Sequence, residues 1–129
     1  MFNGGVVCYH TQLKYTLLGV DATLLADKGP VDPHVAQQMA EGTRHSCAVE
    51  GRPADLGLAT TGVAGPDVDP QTGQPAGTVY LGIATQHGSR AVSLSLTGDR
   101  PTIRAATVSA AVEEALNELS TLTPDSAGE

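Results

Sequence analysis

Apolar side chains along the chain recur at helical spacing in four places. Leu13, Leu17 and Leu18 fall at i, i+4 and i+5, one face of a helix that Thr11 caps and Gly19 stops. Asp21 to Asp27 reads as a second short helix that ends at Lys28-Gly29-Pro30. Asp32 as N-cap and Pro33 at the first helical position open a longer helix. Its stripe is Val35, Met39 and Ala40, and it fades near Cys47. Gly98-Asp99-Arg100-Pro101 starts the last helix, with Val108, Val112, Ala115, Leu116 and Leu119 as its apolar face.

Elsewhere the pattern is that of strands. Gly4-Gly5-Val6-Val7-Cys8-Tyr9 reads as a strand at the very start of the chain. Leu56 to Ala64 reads as a buried strand running into the glycine turn Thr60–Pro66. Asp67 to Ala76, rich in Asp, Pro, Gly and Gln, is a long loop. Gly77–Thr85 and Arg90–Leu96 pair as a hairpin around His87-Gly88-Ser89. The order β-α-α-α-β-β-β-α predicts an α/β domain, with helices on both faces of a mixed sheet. The expected domain spans residues 1–122, with a polar tail from Thr123.

Composition narrows the function. At 129 residues the chain has room for one domain and a core that needs no staple. Seven Lys+Arg against fourteen Asp+Glu leave a net charge of −7, which argues against a nucleic-acid backbone as partner. Aromatics at 3% and the absence of Trp argue against a base-stacking platform. A local pair of arginines could still hold a small anion. Cys8 and Cys47 are the only cysteines, no disulfide framework, which suits a reducing cytosol. Cys8-x-His10 and His45-x-Cys47 lack zinc-knuckle spacing, so no metal is expected. No leader opens the chain and no apolar run is long enough to cross a membrane, so a cytoplasmic protein without membrane contact is expected.

Three clusters could carry chemistry. Tyr9 closes the first strand, and Lys14 lies in the first turn of the next helix. A helix N-terminus and partial burial both disfavour an ammonium charge there, so this amine could serve as a base; an ordinary solvated lysine is the alternative. Thr60-Thr61-Gly62-Val63-Ala64-Gly65-Pro66 could bring backbone N–H groups to an anion or a developing oxyanion, or be only a tight turn. It is neither a P-loop nor G-x-G-x-x-G. Arg100 and Arg104, four apart at a helix start, suit phosphate or carboxylate, or a solvated face with Asp99 as cap.

Together these segments resemble the C-terminal domain of competence-damage-inducible protein A (CinA), a family that includes stand-alone nicotinamide-nucleotide amidohydrolases. The matching residues are Phe2-x-Gly4-Gly5-Val6-Val7-x-Tyr9 and Lys14-x-x-Leu17-Leu18-Gly19-Val20. They continue with Gly29-Pro30-Val31, Val35-Ala36-x-x-Met39-Ala40-Glu41-Gly42 and Thr61-Gly62-Val63-Ala64-Gly65-Pro66. Pro75-x-Gly77-Thr78-Val79 and Gly98-Asp99-Arg100-x-x-x-Arg104 complete the set. The resemblance runs from Phe2 to about Leu119.

The resemblance implies a three-layer α/β/α domain with a mixed sheet. It implies hydrolysis of the carboxamide of nicotinamide mononucleotide (NMN) to nicotinic acid mononucleotide and ammonia, with no cofactor. It places the family's lysine at Lys14 and its strand tyrosine at Tyr9. By the same resemblance, Thr61, Gly62, Ala64, Gly65, Gly77 and Thr78, with Arg100 and Arg104, bind substrate. Family precedent implies a homo-oligomer. The family's nucleophile is a serine in A-E-S-x-T-G-G, a segment that these 129 residues do not contain. The family places it upstream of the F-x-G-G strand, so the reading frame is expected to continue above Met1. Thr11 stands where many members have asparagine, and Cys47–Asp55 is longer than usual. The expectation is an NMN amidohydrolase domain inactive as this chain; a non-catalytic nucleotide-binding or interaction module is the alternative.

Overall fold

The computed structural model describes residues 1–122, so the expected polar tail from Thr123 lies outside the described residues. Four helices are present: α1 (Thr11–Leu18), α2 (Ala22–Lys28), α3 (Pro33–Ser46) and α4 (Arg100–Thr121). Three strands, β1 (Gly57–Gly62), β2 (Thr78–Thr85) and β3 (Gly88–Ser95), form one sheet in the order β1-β2-β3. The class is α/β, with helices on both faces.

The helix starts follow local chemistry. Asp21 accepts hydrogen bonds from Thr23 and Leu24, Asp32 from His34 and Val35, and Asp99 from Thr102. Each carboxylate satisfies amides that the first turn leaves without partners. α1 departs from expectation: its cap is His10, whose Nδ1 accepts from the Gln12 amide at 3.1 Å, not Thr11. An imidazole nitrogen one residue earlier supplies the acceptor, and Thr11 is already helical. Gly19, in the left-handed region at φ 71°, ends α1 as expected.

Alternation along β2 divides the core. Val79, Leu81 and Ile83 face α4 and join Ile103 and Ala111. On the other face Ala59 and Ala84 join Leu18, Leu25, Val35 and Met39. Small residues line that second face because α3 lies close. A Cβ at Gly57 would overlap the Ala40 carbonyl oxygen, and one at Gly42 the Leu18 carbonyl oxygen of α1. The result is three layers: α1–α3, the sheet, and α4.

Three expectations need correction. Both pairings, β1 with β2 and β2 with β3, are antiparallel, so the described sheet is antiparallel rather than mixed. The fourth strand, Gly4–Tyr9, does not form. A strand exists through its neighbour's hydrogen bonds, and among the described residues no backbone group of residues 1–9 bonds another backbone group. The segment is tied instead by the Asn3 amide to the Cys47 carbonyl (3.1 Å) and by the Lys14 ammonium to the Cys8 carbonyl (2.7 Å). Lastly, the predicted face of α4 points outward: Val108, Val112, Leu116 and Leu119 are exposed. The inner face carries Ile103, Ala110 and Ala111 instead, with Glu114 and Glu118 bracketing Arg90 of β3 at 3.0 and 3.1 Å.

Candidate functional site

A cleft of about 1050 Å³ opens between the 1–9 segment and the free edge of β1. Lys14 and Tyr9 both line it. α1 is held in place by its closing turn, where Gly19 and Val20 donate to the Tyr15 and Lys14 carbonyls, and by Ser46 of α3, whose hydroxyl donates to the Leu17 carbonyl at 2.8 Å. Lys14 is therefore carried on a fixed helix. Its side chain is buried while Leu13 and Leu17, expected inside, are partly exposed. The reason is the contact of α1 with α3, which takes Leu18 and leaves the cleft side to Lys14.

The Lys14 ammonium donates to the Cys8 carbonyl at 2.7 Å, the one hydrogen bond it makes among the described residues. Burial pushes its pKa below the usual lysine range, while negative charge on the nearby Cys8 thiol would oppose the shift. The folded chain therefore holds this proton less tightly than the unfolded chain does. Stability tied to Lys14 is lowest below the folded value and rises as pH climbs toward the ordinary value of 10.5. Denaturant melts of the wild type and Lys14→Met across this window are expected to show the wild type gaining on the variant with rising pH. A difference that stays flat up to pH 10.5 would remove burial as the cause. Tyr9 is almost fully exposed on the cleft rim, and Cys8 is half-buried beneath it.

The glycine turn and Arg100 come together outside this cleft. Arg100 Nη1 donates to the Gly65 carbonyl at 3.1 Å, which ties the start of α4 to the turn after β1. Arg104 lies one helical turn further, exposed. The carboxyl of Asp99 sits below its ordinary range because Thr102 donates to it. Thr61 is buried at the end of β1, and its hydroxyl donates to the Pro30 carbonyl at 2.6 Å. Gly62 and Gly77 let backbones approach: a Cβ would meet Val79 at the first and overlap the Leu96 carbonyl oxygen at the second. Gly77 donates to the Val63 carbonyl at 2.7 Å, and Val63 donates to the Thr78 carbonyl at 2.9 Å. The Thr78 hydroxyl donates to the Pro75 carbonyl at 2.8 Å. Ala64, like Gly65, lies in the turn itself.

The predicted residues thus fall into two groups, Tyr9 with Lys14 on the cleft, and Gly65 with Arg100 at the head of α4. Of the glycine-turn segment, only Thr60 lines the cleft. Two roles were not foreseen from the sequence: the Cys8 carbonyl receives Lys14, and His10 caps the helix carrying it. A backbone acceptor leaves no mark in the sequence, and Cys8-x-His10 drew notice only as a spacing unsuited to zinc. Among the described residues no three His, Cys, Asp or Glu side chains gather as a metal site would require. No helix among them is long and apolar enough to cross a membrane.

Comparison with known proteins agrees with the resemblance. The family profile described as the CinA C-terminal domain matches residues 1–119. A CinA-like protein of Frankia casuarinae is 45% identical over 112 residues, which cover 87% of this chain and 24% of that protein. A CinA-like protein of Geobacter sulfurreducens is 43% identical over 109 residues, 84% of this chain and 25% of that protein. The chain therefore spans about a quarter of the length of these relatives. Among solved structures, the competence damage-inducible protein A (ComA) of Klebsiella pneumoniae superposes with a TM-score of 0.80 at 28% identity, over 92% of this chain and 70% of that one. The competence/damage inducible protein CihA of Agrobacterium tumefaciens gives 0.75 at 30% identity, over 86% of this chain and 65% of that one. With the profile covering nearly the whole chain, and with the order of its glycine and arginine segments intact, this protein belongs to the CinA C-terminal domain family.

Proposed function

We propose that this domain carries the base of an NMN amidohydrolase site, while the family's nucleophile segment A-E-S-x-T-G-G is not among these 129 residues. The observation that supports it is Lys14, a buried amine with a lowered pKa on the wall of a cleft that Tyr9 also lines. Amide hydrolysis needs such a base. A serine hydroxyl would give its proton to Lys14 as its oxygen attacks the carboxamide carbon. The C–N bond then breaks, ammonia leaves with that proton, and water hydrolyses the ester. Lysine paired with serine is a variant of the triad arrangement. Tyr9 would orient or donate. The Arg100/Arg104 pair, with the Thr61–Pro66 turn, Gly77 and Thr78, lies outside the Lys14 cleft and would hold the phosphate end of the nucleotide. No cofactor enters this scheme.

A non-catalytic nucleotide-binding module is the second reading, favoured by the separation of the Gly65–Arg100 group from the Lys14 cleft. The two readings meet in one experiment. The 129-residue chain is expected to release no ammonia from NMN above a Lys14→Ala control, while calorimetry detects NMN binding. Arg100→Ala combined with Arg104→Ala is expected to weaken that binding about a hundredfold, since each charge-assisted phosphate contact contributes roughly 1.5–3 kcal/mol. Equal affinity in the double variant would move the phosphate elsewhere. Turnover well above the control would place a nucleophile among the residues present.

A further inference from the structure

The buried side chain of Arg44 has donors left over. A guanidinium carries five N–H groups and accepts nothing. Nε donates to the Ala54 carbonyl, and Nη1 donates to the Thr85 carbonyl and to Glu41. Nη2 makes no hydrogen bond among the described residues, although the side chain is only 9% exposed. Among those residues no fully buried side-chain nitrogen or oxygen lacks a partner. Nη2 is therefore the part of the guanidinium that reaches open space. That space is a pocket of about 260 Å³ at the end of β2. Arg52 and Gln86 bring further donors to its wall, and Pro53 and Leu122 bring apolar surface. Arg52 Nη2 pairs with Asp55, but both side chains are more than half exposed, so this pair yields at little cost.

The charges select the class of ligand. Against Arg44 and Arg52 stand two carboxylates, Glu41 and Asp55, and His45 lies against Glu41. A dianion such as phosphate would meet both carboxylates, whereas a monoanion is served by the unmatched Nη2. A carboxylate is planar and fits the edge of a guanidinium. Three hydrogen bonds already hold Arg44, so little ordering is left for a ligand to impose. The pocket stands apart from the glycine turn: Thr85 ends β2, whereas Thr78, bonded to Val63, begins it. No residue of the 1–9 segment lines it, and the loop with Arg52, Pro53 and Asp55 is its common wall with the Lys14 cleft.

We propose that this pocket binds a small organic monocarboxylate, with the carboxylate on Arg44 Nη2 and Arg52 and the apolar end against Pro53 and Leu122. Nothing in this binding rests on the amidohydrolase reading.

The test titrates the full chain with butyrate and follows it by two-dimensional NMR. Saturating shifts are expected at the Arg44 Nε–H and at the amides of Ala54, Asp55, Thr85 and Gln86, with a dissociation constant of about 1 mM or tighter. Butyramide, the uncharged match, and inorganic phosphate should each bind at least about tenfold more weakly. Because Arg44 also supports the fold, the variants are made at the pocket wall. Arg52→Ala is expected to weaken butyrate about tenfold, and Leu122→Asp, which adds a third carboxylate, to abolish saturation. Circular dichroism melts check that both variants stay folded. Absence of saturable shifts, equal binding of butyramide or phosphate, or unchanged affinity in either folded variant overturns the proposal. So does displacement of butyrate by NMN, because the pocket would then belong to the nucleotide site.

Discussion

Gly82→Ala is expected to abolish the folded domain, or to leave it with no cooperative thermal transition above room temperature. Gly82 lies in the middle of β2, directly under α3. A methyl group there would overlap the Ala36 carbonyl oxygen and sit 3.1 Å from the Gln37 nitrogen. Both are helix backbone, so no side-chain rotation relieves the clash. The helix must lift, and Val35, Met39 and Ala40 then lose their contacts with the sheet face. Overpacking of this kind costs on the order of 3 kcal/mol or more, a large part of the stability of a domain this size. Gly4→Ala is the control: its new methyl would meet only Cys47 Sγ at 3.6 Å. Circular dichroism melts compare the two. A Gly82→Ala protein that melts within a few degrees of wild type would show that α3 lifts from the sheet at little cost.

Arg44→Met is expected to cost about 3 kcal/mol by urea denaturation, with no change in the helix content of the surviving fold. Arg44 is buried near the end of α3. Its Nε donates to the Ala54 carbonyl at 2.8 Å, and its Nη1 donates to the Thr85 carbonyl at 2.9 Å and to Glu41 at 3.0 Å. One guanidinium thus ties together α3, the loop before β1 and the end of β2. Methionine fills a similar volume but leaves those carbonyls without a donor, and a buried acceptor without a partner costs about 1–3 kcal/mol. Because that loop leads straight into β1 and forms part of the cleft wall, the variant should also loosen Pro53–Leu56, visible as faster amide exchange there. A loss below about 1 kcal/mol would mean that water replaces the guanidinium at little cost.

For the candidate site, the difference between pattern and placement is instructive. Lys14 could be singled out because a lysine early in a helix after a strand-like segment is electrostatically awkward. Its burial could not be read from the chain, because it depends on which residue of α1 faces α3. Leu13, Leu17 and Leu18 all fit one helical face on paper, yet α3 takes only Leu18 into the core. Arg100 and Gly65 read as separate clusters, 35 residues apart, and the turn at the head of α4 joins them. Arg44 had no signature at all, since a basic residue in the last turn of a helix reads as ordinary dipole compensation.

What the sequence determined by itself was local. Asp21, Asp32 and Asp99 marked three helix starts, Gly19 a helix end, and the apolar alternation of Val79, Leu81 and Ile83 a strand, because caps, turns and alternation depend on neighbours in the chain. The order of the glycine and arginine segments also determined the family. Tertiary structure alone decided which face of α4 turns inward, the one whose Ile103 and Ala111 pack on Val79, Leu81 and Ile83 of β2. It alone decided that Gly4–Tyr9, with every local mark of a strand, remains unpaired. A helix satisfies its backbone within its own turns, whereas a strand must find its hydrogen bonds on another segment. Only the arrangement of the whole chain says whether that segment is beside it.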